Sequence, residues 1–273
     1  MVVGEYDLYE EFEVEKGPGY AGRLTAYLLD NSPEIDPGRR RPAVLICPGG
    51  AYLCTSDREA EAVAVRFLAK GFQAFVLRYS CAPACFPTQL VEASMAMAFI
   101  RRNCEEFCVD RDRVGVIGFS AGGHLALSGA VLAVPGLPEQ PRPDAVILGY
   151  PVITAGQYAH RGSFVQLAGE DPAAQQAFSL EDKITPRTPP VFVWHTMEDE
   201  TVPVENTLLL VSALHRAGVP CEAHLFEKGC HGTSLSTAEV NHPSAHRSRW
   251  LTLAREWLDD TFDFHLGTGE TGG

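Results

Sequence analysis

Gly118-Phe119-Ser120-Ala121-Gly122 follows the apolar stretch Arg113-Val114-Gly115-Val116-Ile117 and precedes the small-residue stretch Gly123-His124-Leu125-Ala126-Leu127. A strand, a tight turn and a helix in that order lift the central serine hydroxyl above the edge of a sheet. The flanking glycines have a steric task. Ser120 is expected in a strained backbone region, and the residues two positions either side must be small for strand and helix to approach so closely. The five-residue pattern alone recurs by chance in chains containing glycine and serine, so an exposed serine on an ordinary turn competes with a nucleophile. The strand before it and the helix after it favour the nucleophile.

Working outward, continuous apolar runs of the kind found in strands covered on both faces alternate with stretches at helical spacing. Pro42-Ala43-Val44-Leu45-Ile46-Cys47 is one such strand, and Pro48-Gly49-Gly50-Ala51-Tyr52 ends it. Ser56 to Lys70 reads as a helix stopped at Gly71, Gly71 to Tyr79 as a strand, and Thr88 to about Cys104 as a helix whose Met95 and Met97 belong to the core. After the elbow come a helix from Ala121 to about Ala133, a Pro-rich turn and a strand from Asp144 to Tyr150. Val191 to His195, Val204 to His215, Pro220 to Phe226 and about Ser244 to Asp259 continue as strand, helix, strand and helix. Tyr6 to Val14 and Leu24 to Leu29 read as edge strands with acidic neighbours facing water. Alternation of this kind predicts an α/β fold with a mostly parallel, doubly wound sheet.

The chain has 273 residues, 45% hydrophobic and 21% charged, within reach of one large core. We expect a single domain over residues 1–266 and a disordered Gly/Thr tail over 267–273, with 154–190, long and weakly periodic, forming a lid or insertion over the substrate. A formal net charge of −13 argues against nucleic acid or anionic membrane as partners and favours a neutral or cationic substrate. The N-terminus has neither a basic region nor an apolar core of a signal peptide, and no apolar run reaches membrane-spanning length, which predicts a cytoplasmic protein. Eight scattered cysteines then read as reduced thiols. Cys81-x-x-x-Cys85 and Cys104-x-x-x-Cys108 have no nearby histidine or second pair, so no metal is expected. A homo-oligomer stays open.

A serine hydroxyl needs a base within hydrogen-bonding reach, and the base needs an acid to fix its tautomer and stabilise the imidazolium. Ser120, then a carboxylate after the Val191 strand, then His231 after the Pro220 strand supply these in the order Ser, acid, His. Of nine histidines, only His231 follows the last strand between glycines, Gly229 and Gly232, that let it project into a cleft. Glu198 and Asp199 both lie in the acid's turn, and position alone leaves both open. The glycine pair Gly49-Gly50 exposes backbone N–H groups after a buried strand, as an oxyanion hole requires, and Ala121 N–H completes it. Tyr52 and His160, the latter in Ala159-His160-Arg161-Gly162-Ser163, are the candidate substrate contacts. The chemistry needs no cofactor.

Pro48-Gly49-Gly50-Ala51-Tyr52, Phe86-Pro87, Asp112-Arg113-Val114, Gly118 through His124, His195-Thr196 through Asp199 to Val202-Pro203, and His231-Gly232 together resemble the acetyl esterase and lipase-like α/β hydrolases. Within these, Gly149 to Ile153 and Ala159 to Ser163 are most similar to bacterial xylan or hemicellulose acetyl esterase-like members. The resemblance runs over about 42–235. It implies an α/β-hydrolase fold, a mostly parallel sheet of about eight strands with helices on both faces, and Asp199 as the triad acid. Pro48 stands where hormone-sensitive-lipase-type relatives carry His, and Ala51 where many carry a third glycine. The implied function is hydrolysis of short acyl esters, acetyl foremost, of sugars or xylo-oligosaccharides. A peptidase or amidase of the same fold is the rival enzyme, disfavoured because no propeller domain is present to sieve peptides; a noncatalytic binding protein is the rival outside enzymes.

Overall fold

A computed structural model describes residues 1–134 and 140–266; the expected tail at 267–273 lies outside the described residues. The elements run β1 (Val2–Asp7), α1 (Leu8–Glu11), β2 (Arg23–Leu28), β3 (Arg41–Cys47), α2 (Glu61–Leu68), β4 (Gln73–Arg78), α3 (Thr88–Arg102), β5 (Val109–Phe119), α4 (Ala121–Val131) and β6 (Ala145–Gly149). There follow α5 (Arg161–Ala168), α6 (Pro172–Gln176), β7 (Val191–Thr196), α7 (Glu205–Ala217), β8 (Cys221–Phe226) and α8 (Arg249–Phe262), with single 3-10 turns at Asp57–Glu59, Glu181–Lys183 and Ala238–Val240. Eight strands form one sheet in the order β1-β2-β4-β3-β5-β6-β7-β8. The first two pairings, β1 with β2 and β2 with β4, are antiparallel. From β4 to β8 every pairing is parallel.

The period-2 geometry of a strand divides β3 between two cores. Ala43, Leu45 and Cys47 enter a core shared with α3, α4 and α7, while Val44 and Ile46 enter one shared with α2 and α8. Both faces are covered, which is why β3 reads as an unbroken apolar run. Met95 and Met97 pack in the first core, as expected. In the second, Trp194 of β7 stacks on Trp250 of α8 with ring centroids 5.1 Å apart.

Connections β3-α2-β4 and β5-α4-β6 leave in opposite directions along the sheet, so β3 and its neighbour β5 flank the switch point. Such a point opens a crevice beyond the carboxyl ends of the strands. Pairing of Cys47 with Gly118 brings the Gly49 turn beside the Ser120 turn.

The N-terminal expectation needs correction. Instead of a strand over Tyr6 to Val14, β1 ends at Asp7, whose carboxylate accepts a hydrogen bond from Tyr9 N–H at 3.0 Å and caps α1. That cap converts an alternating pattern into a helical turn with Leu8 fully buried. The segment 154–190 is less irregular than its sequence suggests. It folds into α5, α6 and a 3-10 turn, fastened to the body where His124 Nε2 meets Phe178 O at 2.9 Å and Phe86 N–H donates to Leu167 O. Among the described residues, no helix is long and apolar enough to cross a membrane.

A Cβ on Gly122 would lie 2.1 Å from Cys47 O and 2.3 Å from Pro48 O, whereas one on Gly129, on the same helix, would meet nothing within 4 Å. Gly122→Ala therefore costs about 3 kcal/mol or more, roughly 10 °C in Tm. Gly129→Ala leaves Tm unchanged or raises it by the gain in helix propensity, up to about 1 kcal/mol. Calorimetry of the two variants checks the contrast; equal effects contradict it.

Candidate active site

Ser120 holds φ 52° and ψ −123°, a region that costs roughly 1–3 kcal/mol for a residue with a side chain. The surroundings enforce it. Ser120 N–H donates to Gly149 O at 3.0 Å, and Ser120 O accepts from Val152 N–H at 3.0 Å. A Cβ on Gly118 would strike Gly122 O at 2.3 Å. The elbow glycines thus do what the sequence asks of them.

Two further strand ends bring the other side chains in. From the loop after β8, His231 places Nε2 2.8 Å from Ser120 Oγ and Nδ1 2.7 Å from Asp199 Oδ2. Since a carboxylate can only accept, Nδ1 carries the hydrogen, and in the neutral ring Nε2 accepts from the serine hydroxyl. Gly229 at φ 145° and Gly232 at φ 72° shape this loop. A Cβ on Gly229 would come within 2.7 Å of Arg247 Nη1, so a larger residue would push the loop off its support.

Asp199, in the turn after β7, has a fully buried side chain. Its Oδ1 accepts from Thr201 N–H and Val202 N–H, each at 3.0 Å. Burial by itself raises its carboxyl, but hydrogen bonds from His195 and His231, with backbone donation, hold it well below the usual carboxylate range. His195 Nε2 sits 3.3 Å from Asp199 Oδ2 while donating to Val202 O at 2.9 Å. Glu198 is exposed and accepts from Gly229 N–H at 3.1 Å, so it braces the histidine loop rather than the imidazole.

Around the serine, two expectations are overturned. Gly49 N–H is committed to the buried Glu59, Oε2 at 2.7 Å, and is not free to meet an oxyanion. The next peptide planes are turned the right way instead. Gly49 O accepts from Ser56 N–H, and Gly50 O from Leu53 N–H and Cys54 N–H. In a trans peptide the N–H points opposite to the C=O, so Gly50 N–H and Ala51 N–H face away from those partners, and neither has an acceptor among the described residues. Ala121 N–H, at the first position of α4, likewise has none.

Tyr52, expected at the substrate, is 1% exposed. Its O–H donates to His124 Nδ1 at 2.8 Å, because Phe178 O takes the hydrogen on Nε2 and burial pushes His124 down to about 4, leaving the ring neutral. Tyr52 thus anchors the 154–190 segment through His124. His160, at the start of α5, is half-buried with Nδ1 2.8 Å from Ser163 Oγ. Burial chiefly, and then the nearby His231, lower its affinity for a proton, opposed by the Asp199 carboxylate.

Glu59 escapes the sequence reading, because it lies among the polar residues Asp57, Arg58 and Glu61 and nothing local marks it. In the sequence His195 reads only as the end of a buried strand and as part of the resemblance, not as a partner of Asp199. Among the described residues, no group of three or more His, Cys, Asp or Glu side chains is gathered to hold a metal.

Because the Asp199 carboxyl is held below its ordinary value of 3.8, its stabilisation is complete above that pH and fades as pH falls toward the lowered folded value. The difference in Tm between wild type and Asp199→Asn, followed by calorimetry from pH 6 to pH 2, narrows below pH 3.8; a difference that widens there contradicts the buried, histidine-bonded carboxylate.

The fold agrees with comparison to known proteins. The BD-FAE family model matches residues 32–136, and the prolyl oligopeptidase family model matches residues 91–256. Over 242 residues the chain is 35% identical to endo-1,4-beta-xylanase B of Butyrivibrio fibrisolvens, covering 84% of this chain and 37% of that protein. It is 28% identical to the acetylxylan esterase of Xylanibacter ruminicola, covering 75% of this chain and 43% of that one, so it spans less than half the length of both curated relatives. The crystal structure of an acetyl ester-xyloside bifunctional hydrolase from Caldicellulosiruptor lactoaceticus superposes with a TM-score of 0.80 at 35% identity, covering 89% of this chain and 88% of that one. From its sheet order, its strand-turn-helix serine and these relationships, the chain belongs to the α/β hydrolases, in the acetyl esterase-like group.

Proposed function

We propose that the protein is a serine carboxylesterase acting on short acyl esters through Ser120, His231 and Asp199. The observation that carries this reading is the unbroken line Ser120 Oγ, His231 Nε2, His231 Nδ1, Asp199 Oδ2, with links of 2.8 and 2.7 Å. As Ser120 Oγ attacks the ester carbonyl, its proton passes to His231 Nε2, and the imidazolium is held by Asp199. Charge developing on the carbonyl oxygen meets Ala121 N–H at the positive end of α4 and Gly50 N–H, with Ala51 N–H in the place first given to Gly49. His231 then protonates the departing alcohol, and a water activated by the same nitrogen releases the acid. We assign His160, which lies near His231 and Asp199, to the alcohol half of the ester as a contact for a sugar hydroxyl.

An acetyl group on a sugar or xylo-oligosaccharide is the favoured substrate, supported by the similarity to an acetylxylan esterase and to an acetyl ester-xyloside hydrolase. The prolyl oligopeptidase match favours one second reading, an amidase on the same residues.

Initial rates on p-nitrophenyl esters from acetyl to octanoyl, on acetylated xylo-oligosaccharides and on an aminoacyl anilide distinguish the two. We expect rates that fall steeply beyond butyryl and a negligible rate on the anilide; a preference for the anilide overturns the esterase. Ser120→Ala and His231→Ala each lower kcat by about 10⁴-fold or more, and Asp199→Asn by about 10⁴-fold through the wrong tautomer. Glu198→Gln, which leaves the line intact, stays within tenfold of wild type.

A further inference from the structure

We infer that Glu59, a residue outside the proposed triad, is the positioning residue that holds the oxyanion turn and the histidine loop in one register. The inference rests on the esterase reading and extends it to a side chain that touches neither substrate nor nucleophile.

Glu59 closes the 3-10 turn Asp57–Glu59 and is 2% exposed. Its two oxygens face different loops. Oε2 accepts from Gly49 N–H at 2.7 Å, at the end of β3, and Oε1 accepts from Tyr150 O–H at 2.6 Å, at the end of β6. Tyr150 passes the hold onward, since its oxygen accepts from Ser234 N–H at 2.9 Å, three residues past His231. The same ring stands edge-on to the His231 imidazole, centroids 4.9 Å apart at 68°. A second strap runs beside the first, with Ser234 O–H donating to Arg58 O at 2.6 Å.

Crowding at Gly49 explains why this hold is exact in direction. A Cβ there would lie 2.8 Å from Glu59 Oε2, 2.8 Å from Phe119 O and 2.9 Å from Ser120 Cβ. Only the width of one glycine separates the carboxylate from the nucleophile's backbone. By fixing Gly49 N–H, Glu59 sets the plane of the preceding peptide; Ser56 N–H sets the next through Gly49 O, and Gly50 N–H is left aimed away from both.

Keeping a carboxylate here is costly. Burial pushes the Glu59 carboxyl above its ordinary range, opposed by the Tyr150 and Gly49 donors and by the nearby His231 and Arg58. A glutamine of the same size could accept from only one of the two donors, since its other atom is an NH₂ group. Two acceptor oxygens meet the Gly49 N–H and the Tyr150 O–H together, which ties the choice of residue to the pair of loops it joins.

Steady-state kinetics on p-nitrophenyl acetate for Glu59→Gln, Glu59→Ala, Tyr150→Phe and the double variant Glu59→Gln/Tyr150→Phe test the inference. An oxyanion donor displaced by a fraction of an ångström acts on the transition state rather than on substrate binding. We expect kcat to fall about 100-fold in Glu59→Ala and less in Glu59→Gln, with KM within about threefold of wild type. The losses in Glu59→Gln and Tyr150→Phe do not multiply in the double variant, because they break one chain of bonds. Values of kcat within threefold of wild type, a rise in KM alone, or fully multiplicative losses overturn it. Tyr150→Phe keeps the question open to measurement should Glu59→Ala not fold. In parallel, the Gly49 amide proton of ¹⁵N-labelled protein moves upfield in Glu59→Gln; an unmoved resonance contradicts the hold. Wild type inert toward every ester would sink the esterase reading, while the amide shift would still decide whether Glu59 grips Gly49.

Discussion

The carboxyl end of the sheet depends on how closely the Ser120 turn approaches the end of β3. Gly122 lies against the carbonyls of Cys47 and Pro48, and Gly49 lies against Ser120 Cβ, with no room for a methyl group at either place. Pairing of β3 with β5 supplies the alignment, and the switch in winding direction at that pair keeps helices from covering the gap. A strained serine, the positive end of α4 and the Gly50 and Ala51 amides, which have no acceptor among the described residues, therefore meet in one small volume. Strain at Ser120 persists because Gly149 O, Val152 N–H and the glycine contacts over-determine it.

Around this volume the site is assembled from strand ends that are far apart in sequence. β5 contributes Ser120, β7 the turn with Asp199, and β8 the loop with His231. Each is braced by groups that are themselves immobilised: Thr201 and Val202 amides hold Asp199, Thr196 O–H holds Gly229 O at 2.7 Å, and Glu198 holds Gly229 N–H. Preorganised dipoles of this sort need no rearrangement as charge develops, which is where an enzyme of this class gains most of its rate. Glu59 belongs to the same logic, joining the Gly49 turn to the His231 loop through Tyr150.

Much of this was legible in the sequence because the cause is local. Continuous apolar runs gave β3, β6 and β7, and the glycine spacing around Ser120 had a steric reason that the structure repeats atom for atom. His231 was readable from the glycines around it. What stayed hidden was the direction of individual bonds. Gly49 looked like an oxyanion donor because a glycine pair follows a buried strand, yet nothing local reveals that Glu59, ten residues on, returns to take its N–H. Tyr52 looked available because it ends that same turn, but its hydroxyl is used by His124 on a different element. The edge strand expected through Val14 failed because one side chain, Asp7, caps a helical turn in the middle of an alternating pattern.

Mass spectrometry of the protein after treatment with a fluorophosphonate tests the central claim most directly, because a phosphonyl group adds covalently only to a serine whose proton has somewhere to go. The account predicts a single adduct, on the peptide containing Ser120, formed by wild type and absent from folded His231→Ala. A folded wild-type protein that takes up no phosphonate, or takes it up at another residue, would contradict it.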